Sequence, residues 1–480
     1  MSQNNSEDTP QIKPEETAGF KVNDTVAFEQ ITTKDGPQYA VYAINGTVVL
    51  PEIKDQEGIF KGKYYKPKQL VPWKLPPTPI PYGSVNDLYN EIYQFYYDRV
   101  DIVGSNGEKS PYYDVKTCFT LDTWRIEQLS TIPFLHFWGA KETGKSKGLE
   151  LLCTLSYRGW LNEATTPAGL FRHAELDKPT LALDECEQYN KNTDFLSLLN
   201  ARYRKGGVVS RLEKNGNGTY ETKYFKIFGP TILGSTRGFP PSTQSRCLIA
   251  YMERKTRDIT PFKFDKDYEE TKTLRGKLLQ YRFDTLNQPL QEIQIKGLEA
   301  TRLGELFEPL LQVAPENMKP RLLNFAEQIK KERQREESTS SPAEILTAIV
   351  AIYDRIDIKK RMSNTNLLEE LNRDLEPELL YNTRSLGWAM KDFGFTPERA
   401  KGGKTRLYAI DENKLRRLCG RYQVYFPEDS NIQSLHLQKN GQNGQNGQLL
   451  SFESECKTDT PTVSTVSTVS RDHKPIEDPV

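Results

Sequence analysis

The sequence has little cysteine, no net charge and no long hydrophobic run. Its 480 residues include six cysteines and four histidines, and the cysteines are scattered without a Cys-x-x-Cys pair. This pattern disfavours a zinc site and a disulfide framework, so a reducing cytoplasm is the predicted location. No stretch approaches the roughly 18 apolar residues of a membrane span, and the polar N-terminus does not have the pattern of a signal peptide. We therefore expect no membrane partner.

The charges of the chain are balanced. Lysine plus arginine and aspartate plus glutamate number 65 each. Overall positive charge cannot attract nucleic acid here, so any such contact has to come from local basic patches. The length predicts roughly two to four domains with room for substantial cores.

A phosphate-binding pattern follows a short apolar run. Residues 134–138 are predicted to form a β-strand, and the spacing G-x-x-x-x-G-K-S occupies residues 139–146. The glycines let backbone N–H groups turn toward phosphates, the lysine reaches the β- and γ-phosphates, and the serine hydroxyl can coordinate Mg²⁺. ATP is therefore predicted to bind Gly139, Ala140, Lys141, Glu142, Thr143, Gly144, Lys145 and Ser146. A glycine-containing surface turn is the alternative.

Two carboxylates follow a later apolar strand, at residues 180–183. Asp184 and Glu185 would lie at the carboxyl end of that strand, which is the edge of an open α/β sheet where the phosphate loop also lies. Asp184 is predicted to hold Mg²⁺ together with Ser146. Glu185 is predicted to orient and deprotonate the attacking water. A capping or turn pair is the alternative.

Two further positions are predicted to act on the γ-phosphate. The strand at residues 230–234 leads into Ser235 and Thr236, either of which can sense the γ-phosphate, and we select Ser235. Arg246 precedes the strand at residues 247–252 and suits an arginine finger that reaches the γ-phosphate of a neighbouring subunit. Arg237 is the second choice for that role. A surface arginine paired with a carboxylate is the alternative.

A β-hairpin is predicted between the carboxylate pair and the strand before Ser235. Residues 207–212 and 219–228 flank two Asn-Gly pairs, which are typical of tight hairpin turns. Lys214 would project from the tip, with Arg211 nearer the base. In a ring of subunits such a hairpin can line the pore and contact a phosphate backbone. An ordinary exposed hairpin fits the sequence nearly as well.

Composition divides the chain into segments. Residues 1–19 and 426–480 are predicted to be disordered, because they are polar or repetitive. Between them we expect a small β module (20–76), a linker with a helical extension (77–130), an ATPase core (131–254), a helical region (255–337) and a C-terminal domain (342–425). The predicted fold class is α/β, with a P-loop NTPase sheet of parallel strands, a small N-terminal β module and a C-terminal winged helix.

The winged-helix prediction comes from three helical segments and a hairpin around Gly402 and Gly403. This plan is a variant of the helix-turn-helix. The hairpin and the last helix are locally rich in lysine and arginine, which predicts contacts with DNA phosphates. The candidate DNA-binding residues are Arg399, Lys401, Lys404 and Arg406. A protein-binding winged helix, or packing between subunits, is the alternative.

Several short strings occur together in the ATPase region. They are the phosphate loop, Gly169-Leu170-Phe171-Arg172, Pro179-Thr180-Leu181, Asp184-Glu185, Leu199-Asn200-Ala201-Arg202-Tyr203-Arg204-Lys205-Gly206-Gly207 and Ser245-Arg246-Cys247-Leu248-Ile249. Together they resemble the ATPase domain of primase–helicase proteins of phages, plasmids and integrated elements. The resemblance implies an AAA+-like module with a hairpin before the sensor strand, working as a hexameric ring ATPase on DNA at a replication fork.

The resemblance does not extend to a primase domain. The first 130 residues are too short for one, and we interpret Asp265 and Asp267 as structural. A separate primase is therefore a candidate partner.

The leading hypothesis is an ATP-driven helicase or translocase that acts on single-stranded or forked DNA. A nucleotide-switched DNA-binding or signalling NTPase without translocation is the alternative. A small-molecule kinase fits poorly, because nothing after Asp184 offers an acceptor pocket and the winged helix would be unexplained.

Overall fold

The computed structural model describes most of the chain between Lys13 and Phe426. The described residues are 13–43, 45–55, 59–60, 62–104, 109–162, 167–189, 191–214, 216, 218–338, 340–353, 361–373, 380–399, 406–426 and 463–465. They form two compact units that divide between Ala326 and Glu327, and residues 463–465 belong to the first unit.

The first unit begins with the predicted β module. Its strands are β1 (Glu15–Thr17), β2 (Gly19–Lys21), β3 (Ala27–Thr33), β4 (Gly36–Ala43), β5 (Gly46–Leu50), β6 (Ile53–Lys54) and β7 (Tyr64–Pro67). Strands β2 to β5 form an antiparallel sheet in chain order, and a second sheet has the order β1-β7-β6. Phe28 and Tyr39 meet edge to face at 5.1 Å in the core of the module. Strand β1 lies within residues 1–19, and it is held by pairing with the distant β7.

The centre of the first unit is a parallel α/β sheet, which confirms the predicted fold class. The elements are α1 (Val85–Arg99), α2 (Tyr112–Thr123), β8 (Phe134–Gly139), α3 (Lys145–Leu155), β9 (Gly159–Asn162), α4 (Pro167–Leu176), β10 (Thr180–Leu183), α5 (Thr193–Arg202), β11 (Val208–Lys214), β12 (Tyr220–Lys226), β13 (Thr231–Ser235), α6 (Pro241–Gln244) and β14 (Cys247–Met252). Five parallel strands pair in the order β14-β8-β13-β10-β9, and β11 and β12 form the predicted hairpin. Strand β13 therefore lies between β8 and β10.

Local sequence explains how these elements form. Strands β10 and β13 are buried at every position, as expected for parallel strands with both faces covered. Helix α1 begins at a capping box, in which the Ser84 hydroxyl accepts from the Asp87 N–H and the Asp87 carboxylate accepts from the Ser84 N–H. Leu88 and Ile92 of this helix are fully buried, so its apolar face is a core face.

Two further helices belong to the first unit. They are α7 (Phe264–Asp284) and α8 (Arg302–Val313), with the short strand β15 (Ile293–Ile295) between them. Helix α9 (Lys319–Ser338) begins in the first unit, and its residues from Glu327 onward belong to the second. Within the residues that the structure describes, no helix is both long and apolar enough to cross a bilayer.

A buried ion network joins the β module to the α/β core. Glu29 on β3 accepts hydrogen bonds from Arg158 Nη2 at 2.8 Å and from Arg282 Nε at 3.0 Å. It also accepts a hydrogen bond from the Tyr157 hydroxyl at 2.6 Å. Arg282 in turn donates to both carboxylate oxygens of Glu127, at 2.8 and 2.6 Å. Burial raises the pKa of Glu127, but Arg282 outweighs burial and the pKa falls to about 2.

The second unit combines helices with a small antiparallel sheet. Its elements are α10 (Ser341–Tyr353), β16 (Arg361–Ser363), α11 (Asn364–Leu371), α12 (Thr383–Asp392), β17 (Pro397–Arg399), β18 (Arg406–Ala409) and α13 (Glu412–Tyr422). The sheet order is β16-β18-β17, with antiparallel pairs. Strand β16 was not expected, because three residues are too few to show an alternating pattern. The last strand, β19 (Val463–Thr465), belongs to the first unit, where it pairs antiparallel with β15.

Candidate nucleotide-binding site

The phosphate loop connects β8 to α3, as the spacing predicts. Gly139 ends β8 beside β14, and a Cβ at this position would lie 2.2 Å from the carbonyl oxygen of Met252. Only glycine fits there. Glu142 and Gly144 have φ angles of 63° and 87°, so the chain turns sharply before α3 begins at Lys145. The loop therefore borders the N-terminal end of a helix, an arrangement that binds phosphate.

Lys145 is folded into this loop. The residue is 9% exposed, and its Nζ donates a hydrogen bond to the carbonyl oxygen of Ala140. The same oxygen accepts a hydrogen bond from the Thr143 hydroxyl at 2.9 Å. Ser146 is exposed on the first turn of α3. Phosphate oxygens can replace the Ala140 carbonyl as partners of the ammonium group, so the positive charge is already at the loop.

Asp184 lies next to the helix that follows the loop. Strand β10 pairs with β13, and β13 pairs with β8, so β10 and β8 are about 10 Å apart. Gly234 on β13 makes room for the carboxylate. A Cβ on Gly234 would lie 2.6 Å from Asp184 Oδ1 and 2.9 Å from Leu149 Cδ1. Asp184 therefore packs over β13 against Leu149 of α3, which lies one turn after Ser146.

Glu185 has a left-handed backbone conformation. Its φ is 50°, and its N–H donates to Asp184 Oδ1 at 2.9 Å. Such left-handed conformations are uncommon outside glycine and cluster at functional sites. Asp184 is half-buried, whereas the side chain of Glu185 is exposed at the edge of the sheet. The two adjacent carboxylates thus have different surroundings, as their different predicted roles require.

A third carboxylate, not expected from the sequence, lies at the same edge. Glu187, in the 3₁₀ turn Cys186–Tyr189, accepts hydrogen bonds from the hydroxyl and the N–H of Thr236 at 2.8 and 3.2 Å. Burial raises the pKa of Glu187, but its hydrogen bonds and the charge of Lys145 outweigh burial, and the pKa lies below its ordinary value. The available signal was its spacing, since it follows Asp184 by one 3₁₀ turn.

Ser235, the predicted sensor, is the last residue of β13 and is fully buried. Its hydroxyl donates to the carbonyl oxygen of Arg237 and lies 2.7 Å from His136 Nε2, which must therefore be the donor. Burial lowers the pKa of His136 to about 4, so the imidazole is neutral at physiological pH. The hydroxyl of Thr236, the other candidate, is bound to Glu187. A sensing role for either residue stays a prediction.

Arg246 and the phosphate loop lie at opposite ends of strand β8. Its carbonyl oxygen accepts a hydrogen bond from the Phe134 N–H at 3.0 Å, at the start of β8. The length of β8, about 20 Å, therefore separates Arg246 from its own loop. The guanidinium groups of Arg246 and Arg302 lie 5.6 and 5.0 Å from the ring centroid of Tyr203. Arg237, by contrast, follows β13 at the loop edge.

The hairpin places the two predicted DNA contacts on opposite faces. Lys214 is exposed at the end of β11. Arg211 faces the core, with Nη2 3.2 Å from Asp194 Oδ1 and its guanidinium 4.5 Å from the ring centroid of Phe171. Side chains alternate along a strand, so residues three positions apart face opposite sides. Lys214 is the better placed of the two for an external contact.

The second unit offers one predicted DNA contact with a described side chain. Lys401 and Lys404, and the side chain of Arg399, lie outside the described residues. Arg406 is exposed on β18, and its Nη1 lies 3.7 Å from a Cβ built on Gly387 of α12. Helix α12 also exposes Trp388, whose ring lies 5.0 Å from the guanidinium of Arg384.

This chain is similar to several solved structures. It matches no protein-family model and no curated protein. Among solved structures it is similar to the C-terminal region of NrS-1, with 10% identity and a TM-score of 0.33 over 80% of this chain and 96% of that chain. It is also similar to JCV helicase, with 10% identity and a TM-score of 0.24 over 52% of this chain and 62% of that chain.

The residues at the loop fit a magnesium–nucleotide complex. In the part of the chain that the structure describes, no group of three His, Cys, Asp or Glu side chains could hold a metal. Mg²⁺ at nucleotide sites uses few protein ligands and completes its shell with water and phosphate oxygens. Ser146 and Asp184 beside α3 are such a pair, and Lys145 adds a positive charge. The exposed Glu185 is open to a water molecule.

Proposed function

We propose that this chain is an ATP-driven DNA helicase or translocase of a mobile-element replication system, working as a hexameric ring with a separate primase as a candidate partner. One observation carries the proposal. Asp184, from a strand that is not a neighbour of β8, packs over Gly234 beside Leu149 of α3, in the turn after Lys145 and Ser146. A glycine-containing surface turn would not require that arrangement.

Each group at the loop has a role in ATP hydrolysis. The loop N–H groups and Lys145 would bind the phosphates, and Ser146 and Asp184 would hold Mg²⁺. The bound metal would supply positive charge to the phosphate oxygens. Glu185 would orient the attacking water and accept its proton.

The position of Arg246 supports hydrolysis between subunits. An arginine finger stabilises negative charge on the transferred phosphoryl group. Arg246 is too far from its own loop for that role, so it would act on the nucleotide of a neighbour. The exposed Lys214 on the hairpin and Arg406 on the winged helix would contact DNA phosphates.

The test is ATP hydrolysis by the intact chain with Mg²⁺, measured with and without single-stranded DNA, together with unwinding of forked DNA. We expect DNA to raise turnover severalfold. Glu185→Gln should keep nucleotide binding but lower turnover by roughly 10²-fold or more, because it removes the general base. Glu269→Gln is the matched control and should leave turnover unchanged, since Glu269 is an exposed residue of α7 whose partner is Lys272.

The outcomes separate the proposals. A nucleotide-switched DNA-binding or signalling NTPase would hydrolyse ATP slowly, and DNA would neither accelerate it nor be unwound. Unchanged turnover in Glu185→Gln would remove Glu185 from the reaction. Failure of the intact chain to bind ATP would contradict the nucleotide site itself.

A further inference from the structure

The β11–β12 hairpin has two chemically different faces. On the docked face, Glu213 pairs with Arg172 and with Lys223, each at 2.9 Å. Phe225 is buried on the same face, and its ring centroid lies 6.2 Å from that of Phe171 on α4. Glu213 and Phe225 on this face therefore have their partners within the chain.

The exposed face has a different composition. It consists of Val208, Ser210, Leu212 and Lys214, which lie opposite Lys226, Tyr224, Thr222 and Tyr220. Tyr220 is 71% exposed, Leu212 is 70% exposed and Tyr224 is 68% exposed. Large apolar side chains that are exposed side by side form a patch, and such patches mark interaction sites.

The geometry of this face suits flat ligands. Tyr220 and Tyr224 are four residues apart on β12, so their Cα atoms lie about 13 Å apart on one face. Leu212 lies across the hairpin, diagonal to both tyrosines. The rings are therefore two separate stacking surfaces with an aliphatic side chain between them.

We propose that this exposed face is a base-stacking platform for single-stranded DNA. Lys214 and Lys226 lie at its two ends, and no carboxylate is among its side chains, so its charge complements a phosphate backbone. Tyrosine rings stack on bases whose faces are unpaired, whereas duplex pairing hides those faces. The inference rests on the proposed function and adds to it contacts with the bases themselves.

The test measures binding of the intact chain to two labelled oligonucleotides by fluorescence anisotropy. One is oligo(dT), and the other is an abasic strand with the same number of phosphates. The variants are Tyr220→Leu with Tyr224→Leu, the control Tyr220→Phe with Tyr224→Phe, and Lys214→Gln with Lys226→Gln. Each titration is repeated at several salt concentrations, and sedimentation reports the oligomeric state.

The tyrosine variants and the lysine variant should differ in how they change DNA binding. The leucine variant should bind oligo(dT) on the order of 10- to 100-fold more weakly, because base stacking is removed, with an unchanged salt slope. It should bind the abasic strand as the unmodified chain does. The phenylalanine control retains its rings and should retain its affinity. The lysine variant should weaken binding to both strands and reduce the salt slope by about 0.7 for each phosphate that a lysine no longer neutralises.

Two results would overturn the platform while leaving the proposed function intact. One is an equal loss of affinity on both strands in the leucine variant. The other is a changed oligomeric state with unchanged affinity, which would assign this face to a neighbouring copy of the chain. If the unmodified chain binds neither strand, the proposed function fails together with the platform.

Discussion

At Gly234 the absence of a side chain makes room for Asp184. We expect Gly234→Ala to displace this carboxylate, because a Cβ would approach Asp184 Oδ1 to 2.6 Å and Leu149 Cδ1 to 2.9 Å. Overpacking of this kind costs about 1 to 3 kcal/mol of stability. ATP turnover should fall on the order of 10-fold or more, since small misplacements of a catalytic ligand are costly. Denaturant unfolding and steady-state hydrolysis measure the two effects.

The control for this prediction is Gly216→Ala in the hairpin turn. A Cβ on Gly216 would meet open space, so stability and turnover should stay unchanged. Normal turnover in a folded Gly234→Ala variant would show that the position of Asp184 does not matter for hydrolysis.

The Glu127 carboxylate predicts a dependence of stability on pH. Its pKa in the folded chain is about 2, below the ordinary value of 4.5. A lowered carboxyl pKa stabilises the fold above about pH 4.5, and this stabilisation is lost as the pH falls toward 2. We therefore expect Glu127→Gln to be less stable than the unmodified chain at pH 6. The difference in the free energy of unfolding should shrink between pH 6 and pH 3. A difference that is constant with pH would contradict the lowered pKa.

At the scale of elements, the paired charges around Glu29 hold the β module on the α/β core. Glu29→Gln leaves Arg158 and Arg282 buried without their full charge partner. Removing one member of a buried ion pair typically costs about 3 to 5 kcal/mol, and the denaturant midpoint of unfolding measures this loss.

Glu15→Gln provides the comparison within the same module. Glu15 pairs with Lys63 at 2.8 Å on the surface, and exposed pairs contribute little to stability. The midpoint should therefore hardly change. Equal midpoints for Glu15→Gln and Glu29→Gln would mean that other contacts attach the module.

Most of these elements could be predicted because their signals are local. The phosphate loop is a fixed spacing, and Ser84 marks the start of α1 through its cap. Strand β1 escaped prediction because its partner, β7, is distant in the sequence. The faces of the hairpin were predictable from the alternation of side chains, which places Lys214 and Arg211 on opposite sides.

At the scale of the whole molecule, hydrolysis between subunits predicts complementation. Lys145→Ala and Arg246→Ala should each be inactive alone, because every site lacks one group. In an equal mixture about a quarter of the interfaces of a closed ring would combine an intact Lys145 with an intact Arg246 of the neighbour. Partial ATP hydrolysis should therefore return on mixing.

The control mixture replaces Arg246→Ala with Arg237→Ala. Arg237 follows β13 at the edge of its own phosphate loop, so a role within one subunit would give no recovery on mixing with Lys145→Ala. Recovery with Arg237→Ala, and none with Arg246→Ala, would reverse the assignment of the finger.

Much of the candidate site could be predicted, and the remainder depends on how strands pair. Lys145 and Ser146 are recognisable from the fixed spacing of the loop, and Asp184 from its place at the end of an apolar run. The bonds of Glu187 to Thr236 and of His136 to Ser235 join segments far apart in the sequence. They exist because β13 lies between β8 and β10, and no local pattern encodes that order.

The ion network around Glu29 has a mechanical consequence. Buried ion pairs tolerate little movement, because a small shift would leave an uncompensated charge buried away from water. The β module therefore cannot swing free of the core on which it is anchored. The module and the core move as one body, and any partner bound to the module moves with that subunit.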